Sequence, residues 1–230
     1  MKIGIFGDVH GNIYAFEKAW RSLIAETCDL YCFVGDICGY YYYQNEIIDI
    51  LKNEKNLYCV AGNHDDIFLK MLDDPKLEKE YSEAYGNSSR LLKKYITEEN
   101  ISFLRALPKV NVLDDFNIGM FHGSPWNYLE EYVYPQDCLD RFSRLPYRFV
   151  ILGHTHYPMD RKIGRLRIIN PGSIGQPRDY NSASYAIIDI DSDLVEFKRV
   201  QYDNMLMVRD VMKRREKNSY LYKILQRKER

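Results

Sequence analysis

Three stretches near the start decide the fold: KIGIFGDVHGN (residues 2–12), LYCFVGD (30–36) and LYCVAGNHDD (57–66). Each is a short apolar run that ends abruptly in glycine and polar residues. Between the first two, Ile13, Phe16, Ala19, Trp20, Leu23 and Ile24 recur at helical spacing, and Asn12 stands where a helix cap would. Between the second and third, Ile47, Ile48, Ile50 and Leu51 mark another helix. Strand, helix, strand, helix, strand is the pattern of right-handed crossovers in a parallel sheet.

Working outward, residues 66–106 read as charge-rich helices broken at Asp73-Asp74-Pro75, a solvated flank more than a lid. Strands are expected at Val110–Leu113 and Ile118–Phe121 around the turn Asp114-Asp115, then at Phe149–Leu152, Leu166–Ile169, Tyr185–Ile190 and Leu194–Val200. Pro135–Arg144 reads as a short helix and about 204–226 as one longer helix. With no linker rich in Pro, Gly or Ser, the expectation is a single α/β body over 1–203 and a C-terminal helical extension over 204–230. Residues 201–230 hold nine Lys or Arg against four Asp or Glu, net +5, so the rest of the chain is −6. The extension is expected to lie outside the catalytic unit, packed on the acidic body or on a second subunit of a homo-oligomer.

Composition narrows the classes. Hydrophobic residues at 46% and charged residues at 28% exclude disorder, and a net charge of −1 excludes a strongly basic nucleic-acid coat. No run approaches the ~18 apolar residues of a membrane span. MKIGIFGDVHGN turns polar after six residues, too early for a signal-peptide core. Five cysteines without a CxxC pair fit a reducing cytoplasm. Buried inert thiols are the default reading of all five, Cys38 lying nearest the polar clusters.

Five polar clusters each follow an apolar run: Gly7-Asp8-Val9-His10, Gly35-Asp36, Gly62-Asn63-His64-Asp65, His122-Gly123-Ser124 and Gly153-His154-Thr155-His156. In open α/β sheets, sites form outside the carboxyl ends of strands, so these clusters converge on one crevice. Taken singly, each has a plain structural explanation: a turn, a helix cap, a core histidine. Together they use all five histidines of the chain at strand ends and none in a helix. Imidazole, carboxylate and amide oxygen are ligands for divalent metals, and the set suits two ions sharing a carboxylate. Such a pair activates a water and clamps both oxygens of an in-line phosphoryl displacement. Two divalent ions, two Asp and a hydroxide leave one positive charge for an anionic substrate.

The motifs GDVHGN (7–12), GD (35–36), GNHD (62–65), FHGS (121–124) and GHTH (153–156), in this order, resemble the calcineurin-like metallophosphoesterase superfamily. INPGSIGQPRD (169–179) followed by SYAIIDI (184–190) is similar to the C-terminal signature of its small bacterial and archaeal phosphodiesterase branch. The resemblance spans residues 1 to about 200. It implies two packed mixed β-sheets flanked by helices, with metals at one edge. It assigns Asp8, His10 and His156 to the first metal, Asn63, His122 and His154 to the second, and Asp36 as the bridge. His64 stays off the metals as the catalytic residue acting on the phosphate or leaving group, and Asn12 and Arg178 line the substrate site.

The implied activity is metal-dependent hydrolysis of phosphodiester, or phosphomonoester, bonds in a small organic phosphate by a metal-bridging hydroxide. Manganese is the expected metal because no thiolate is in the set, with Fe, Co, Ni or Zn as alternatives. Nucleic acid is expected only as a nucleotide, and no membrane partner is expected. One departure matters. The protein serine/threonine phosphatases of the superfamily carry GDxVDRG where this chain reads GDICGYYYY (35–43). The Arg that would meet phosphate and the Asp that would orient the catalytic His are both missing, which disfavours the protein-phosphatase alternative. A non-catalytic scaffold of the same fold is disfavoured by seven intact ligand positions. Tyr40–Tyr43 are expected to pack against the following helix, with stacking on a substrate ring as the alternative; Trp126 and Tyr128 are candidate pocket walls.

Overall fold

The computed structural model describes residues 1–227; the last three residues of the 204–230 extension lie outside it. Two five-stranded sheets face each other. The first holds β1 (Lys2–Phe6), β2 (Leu30–Phe33), β3 (Leu57–Cys59), β9 (Ala183–Asp189) and β10 (Leu194–Val200), in the order β10-β9-β1-β2-β3. The second holds β4 (Val110–Leu113), β5 (Ile118–Phe121), β6 (Phe149–Ile151), β7 (Pro158–Ile163) and β8 (Leu166–Pro171), in the order β4-β5-β6-β8-β7. β1, β2 and β3 run parallel, as the alternating pattern predicts; β5, β6 and β8 are also parallel, and antiparallel strands complete both sheets.

Side chains alternate across each strand, and the alternation builds the layers. Ile3 and Ile5 of β1, Leu30 and Cys32 of β2, Ile118 and Met120 of β5, and Phe149 and Ile151 of β6 meet between the sheets. Phe6, Tyr31 and Phe33 point the other way, onto α1 (Ile13–Ala25) and α2 (Gln44–Leu51). Phe121, Val150 and Ile168 form the outer layer of the second sheet. The flank after β3 consists of α3 (Asn63–Met71), α4 (Pro75–Tyr85), α5 (Ser88–Tyr95) and α6 (Glu98–Ala106). Asp74 caps α4 ahead of Pro75, the break that the sequence marks.

Four features differ from expectation. β7 is an unforeseen edge strand, PMDRKI, paired antiparallel with β8. Three of its residues are exposed charges, so it lacks an apolar run. Pro135–Arg144 is no helix; only a 3₁₀ turn forms at Asp140–Arg144. The Asp137 carboxylate accepts the Tyr134 N–H at 2.8 Å, closing a local turn where Pro135 offers no N–H. The expected single C-terminal helix is two: α7 (Asn204–Lys213) and α8 (Tyr220–Lys223). Arg215 lies in left-handed backbone, φ 55°, and turns the chain back.

The extension is also not an appendage. Met207, Val208, Val211, Leu221, Ile224 and Leu225 are buried in one cluster with Tyr40 and Tyr41. Tyr43 and Tyr14 both donate to the Asp210 carboxylate, and Tyr41 donates to the Leu221 carbonyl at 3.1 Å. The four consecutive tyrosines therefore pack chiefly on the C-terminal helices.

Candidate metal centre

The clusters after β1, β2, β5 and β6 and the N-terminus of α3 meet at one edge of the two sheets. Asp8, His10, Asp36, Asn63, His122, His154 and His156 are all buried. Their ligand atoms fall into two groups, Asp8–His10–Asp36–His156 and Asp36–His122–His154, each within 4.8 Å. Asp36 belongs to both. Its Oδ1 accepts the His64 N–H at 2.9 Å, while Oδ2 lies 3.7 Å from His10 Nε2 and 3.3 Å from His122 Nε2. Asn63 extends the second group, with Oδ1 3.0 Å from His122 Nε2.

The main chain aims these side chains through unusual backbone. Asp8 (φ 49°), His10 (50°), Asp36 (62°), His154 (68°) and His156 (62°) all lie in the left-handed region. Each non-glycine residue there carries strain that the surroundings must override. The overriding contacts are visible: Asp8 and Val9 N–H donate to the Gly35 and Asp36 carbonyls at 2.9 Å, and Gly175 N–H and Ser173 Oγ donate to the Asp8 carbonyl. Gly62 is required by close approach. A Cβ there would fall inside the Asp36 carboxylate.

Three imidazoles are oriented alike. Nδ1 of His10 meets the Cys38 carbonyl at 2.9 Å, Nδ1 of His122 the Val34 carbonyl at 2.7 Å, and Nδ1 of His156 the Gln176 carbonyl at 2.8 Å. A carbonyl only accepts, so each Nδ1 carries the proton and, in a neutral ring, each Nε2 presents a lone pair. His10 Nε2 and His156 Nε2 face one another at 3.0 Å. Two lone pairs at that distance repel unless a cation lies between them. Asp8 Oδ2, Asp36 Oδ2 and His154 Nε2 are buried and have no hydrogen-bond partner among the described residues. Buried polar atoms are ordinarily paired, so this donor set fits metal ions well. The two His/Asp clusters are consistent with a dinuclear site.

Burial and neighbouring charge divide the titrations. Burial lowers His10 and His154 to about 3, and holds His156 well below the usual imidazole range. Burial also opposes charge on His122, but the adjacent Asp36 carboxylate outweighs it and raises the ring to about 9. Burial pushes Asp8 up, whereas the histidines hold Asp36 well below the carboxylate range despite its burial.

His64 lies beside these groups, its ring 5.0 Å from that of His10. It does have a side-chain partner, missed in the sequence: the Tyr81 hydroxyl of α4, at Nδ1. Asp65 does more than close a turn. Its buried carboxylate accepts three N–H groups, from Asp36 (3.0 Å), Cys38 (2.8 Å) and Gly62 (2.9 Å), locking the second and third clusters together. Its pKa is about 6, burial and Asp36 raising it against those donors. The GNHD motif was its only signal; nothing in the sequence marks Tyr81.

Asn12 is corrected. It caps α1 through Ala15 N–H at 3.3 Å, and its amide donates to the Gly175 carbonyl and Tyr202 hydroxyl. It is fully buried, and both of its amide hydrogens are engaged within the chain. Arg178 is half-buried; burial works against its charge, and the phenols of Tyr40, Tyr220 and Tyr132 outweigh it. Cys38 contributes through its backbone, while burial lifts its thiol well above the usual range. Trp126 is held by Arg141, 4.0 Å above its ring, and Tyr128 stacks on Phe121. At the crevice Tyr132 stacks on His154, ring centres 3.9 Å apart.

Comparison with known proteins agrees with this geometry. Residues 1–193 match the family model described as the calcineurin-like phosphoesterase superfamily domain. An uncharacterised protein of Methanocaldococcus jannaschii is 30% identical over 93% of each chain. A metallophosphoesterase from Sphaerobacter thermophilus is 25% identical, with a TM-score of 0.82 over 97% of this chain and 98% of that one. An archaeal phosphodiesterase, 19% identical, shares the fold with a TM-score of 0.55 over 87% of this chain and all of that one. The chain belongs to the calcineurin-like phosphoesterase superfamily and keeps its metal-binding residues intact.

Proposed function

We propose that the protein is a dinuclear-metal phosphoesterase that hydrolyses phosphodiester, or phosphomonoester, bonds of a small organic phosphate. The observation that carries this reading is His10 Nε2 facing His156 Nε2 at 3.0 Å, with the second group, Asn63 and His122, reached through the Asp36 Oδ2 that both groups share. Two divalent ions bound there supply Lewis acidity and a hydroxide nucleophile at neutral pH.

The chain's own residues do the rest. His10, His122 and His156 are held by backbone carbonyls, so their orientation costs nothing at the moment of reaction. His64 lies close enough to the ligand set to hydrogen-bond a phosphoryl or departing oxygen. Arg178 places a permanent positive charge at the crevice, where the charge of a phosphoryl group is neutralised. The tyrosines around it give the crevice an aromatic rim suited to an organic substituent.

Manganese is the proposed metal and the cytoplasm the proposed compartment; the five cysteines are all free thiols. Among the described residues no helix is long and apolar enough to cross a membrane. Protein phosphatase activity is the less favoured reading, because the GDxVDRG segment is replaced by a loop buried under the C-terminal helices. The test is to strip the protein with a chelator, reload it separately with Mn, Fe, Co, Ni and Zn, and assay bis-p-nitrophenyl phosphate, alkyl diesters, nucleoside monophosphates and a phosphopeptide. Highest turnover of diesters with Mn is expected. Turnover of the phosphopeptide alone would replace this reading with the phosphatase one, and no turnover with any metal would leave the scaffold.

A further inference from the structure

The bond between Tyr81 and His64 has a direction, and the direction decides what His64 offers. Tyr81 is buried on α4, and its hydroxyl meets His64 Nδ1. That imidazole nitrogen is the only partner of the hydroxyl among the described residues. Were Nδ1–H the donor, the phenol proton would be buried without an acceptor, an arrangement folded proteins avoid. The O–H therefore donates to Nδ1, and the proton of the neutral ring sits on Nε2. A carboxylate in the same place would do the opposite: it would accept from Nδ1–H and leave Nε2 bare.

The ring is also held against rotation. Tyr85, Tyr40 and His10 pack on it at ring distances of 5.1, 5.2 and 5.0 Å, and its backbone N–H is bound by Asp36 Oδ1. Nε2 has no partner among the described residues, so it is the ring's one polar atom left for a ligand.

We propose that Tyr81 is a positioning residue that fixes His64 as the Nε2–H tautomer. The neutral imidazole then presents a hydrogen-bond donor to a phosphoryl oxygen and does not transfer a proton to the leaving group. The inference depends on the phosphoesterase reading only for the identity of the acceptor.

The tautomer can be read without turnover. In ¹⁵N-labelled protein, metal-free and zinc-loaded, the His64 ring signals are assigned by their loss in His64→Gln. The expected spectrum has a proton-free, pyridine-type Nδ1 and a proton-bearing Nε2, and Tyr81→Phe mixes the two tautomers. In kinetics, Tyr81→Phe is expected to lower kcat about tenfold, the scale of one hydrogen bond. The loss is the same factor for bis-p-nitrophenyl phosphate and for an alkyl diester, with KM and metal content unchanged. A proton-bearing Nδ1 in the parent protein, or a loss confined to the alkyl diester, would overturn the proposal. Failure of the phosphoesterase reading looks different: no ester is cleaved, and the spectrum still reports the tautomer.

Discussion

Oδ1 of Asn63 stands 3.0 Å from Nε2 of His122, while Nδ1 of the same imidazole already donates to the Val34 carbonyl. Without metal that gap is closed by a proton, since the Asp36 carboxylate overcomes burial and raises His122 to about 9. A cation must displace this proton. Below about 9 the metal must compete with this proton for the ring; above it the ring is free to bind. Metal affinity should rise with pH through the neutral range and level off near that value. Calorimetric titrations in buffers of different ionisation enthalpy should show proton release on binding. Constant affinity and no proton release would place the second ion elsewhere.

Asp36 touches both ligand groups, so Asp36→Asn should weaken both. The expected loss is roughly two metals per chain, with activity, whereas Asn63→Ala should empty mainly the second site. Elemental analysis on equal protein decides it. Equal metal content in Asp36→Asn and parent would remove Asp36 from its bridging position.

Gly62 offers a test that changes no ligand. Gly62→Ala puts a methyl group where the Asp36 carboxylate lies, so one of them must move. The variant should fold, bind metal at least tenfold more weakly, and lose the Asp65 contact to the Gly62 N–H. Unchanged metal affinity would mean that Asp36 has freedom the packing denies.

The C-terminal helices should prove necessary for the intact site. Leu221 is wholly buried against the tyrosine loop, and Leu221→Ala should cost about 2–5 kcal/mol in a thermal or urea melt. Ending the chain after residue 203 should lower Tm more and weaken metal binding, because Tyr40 packs on both His10 and His64. A truncated chain with parental metal affinity would restore the appendage that sequence suggests.

The strand ends were legible because glycine and polar residues following an apolar run are a local signal. Five such signals in one chain place a crevice without any knowledge of contacts. What was hidden depends on contacts between distant residues. Tyr81 lies 17 positions from His64, on a helix whose pattern looks merely solvated. β7 is stabilised by pairing with β8 more than by its own side chains. The 204–226 stretch has helical spacing throughout, and distant contacts fold it back: Leu221, Ile224 and Leu225 pack with Tyr40 and Tyr41, and Glu216 accepts from Asn87. Asn12 was legible as a cap, whereas its amide bonds to Gly175 and Tyr202 join residues more than 160 positions apart and left no local signal.

Five residues that carry metal ligands occupy left-handed backbone that costs each of them about 1 kcal/mol or more. Glycine would relieve that cost at Asp8, His10, Asp36, His154 or His156, while deleting the ligand. Heat resistance and catalytic competence therefore pull these positions in opposite directions when metal is scarce. A library screened for survival at high temperature in chelator would be drawn toward inactive chains. The same library screened with metal present would keep the five side chains, because there the bound ions reward the strained shape.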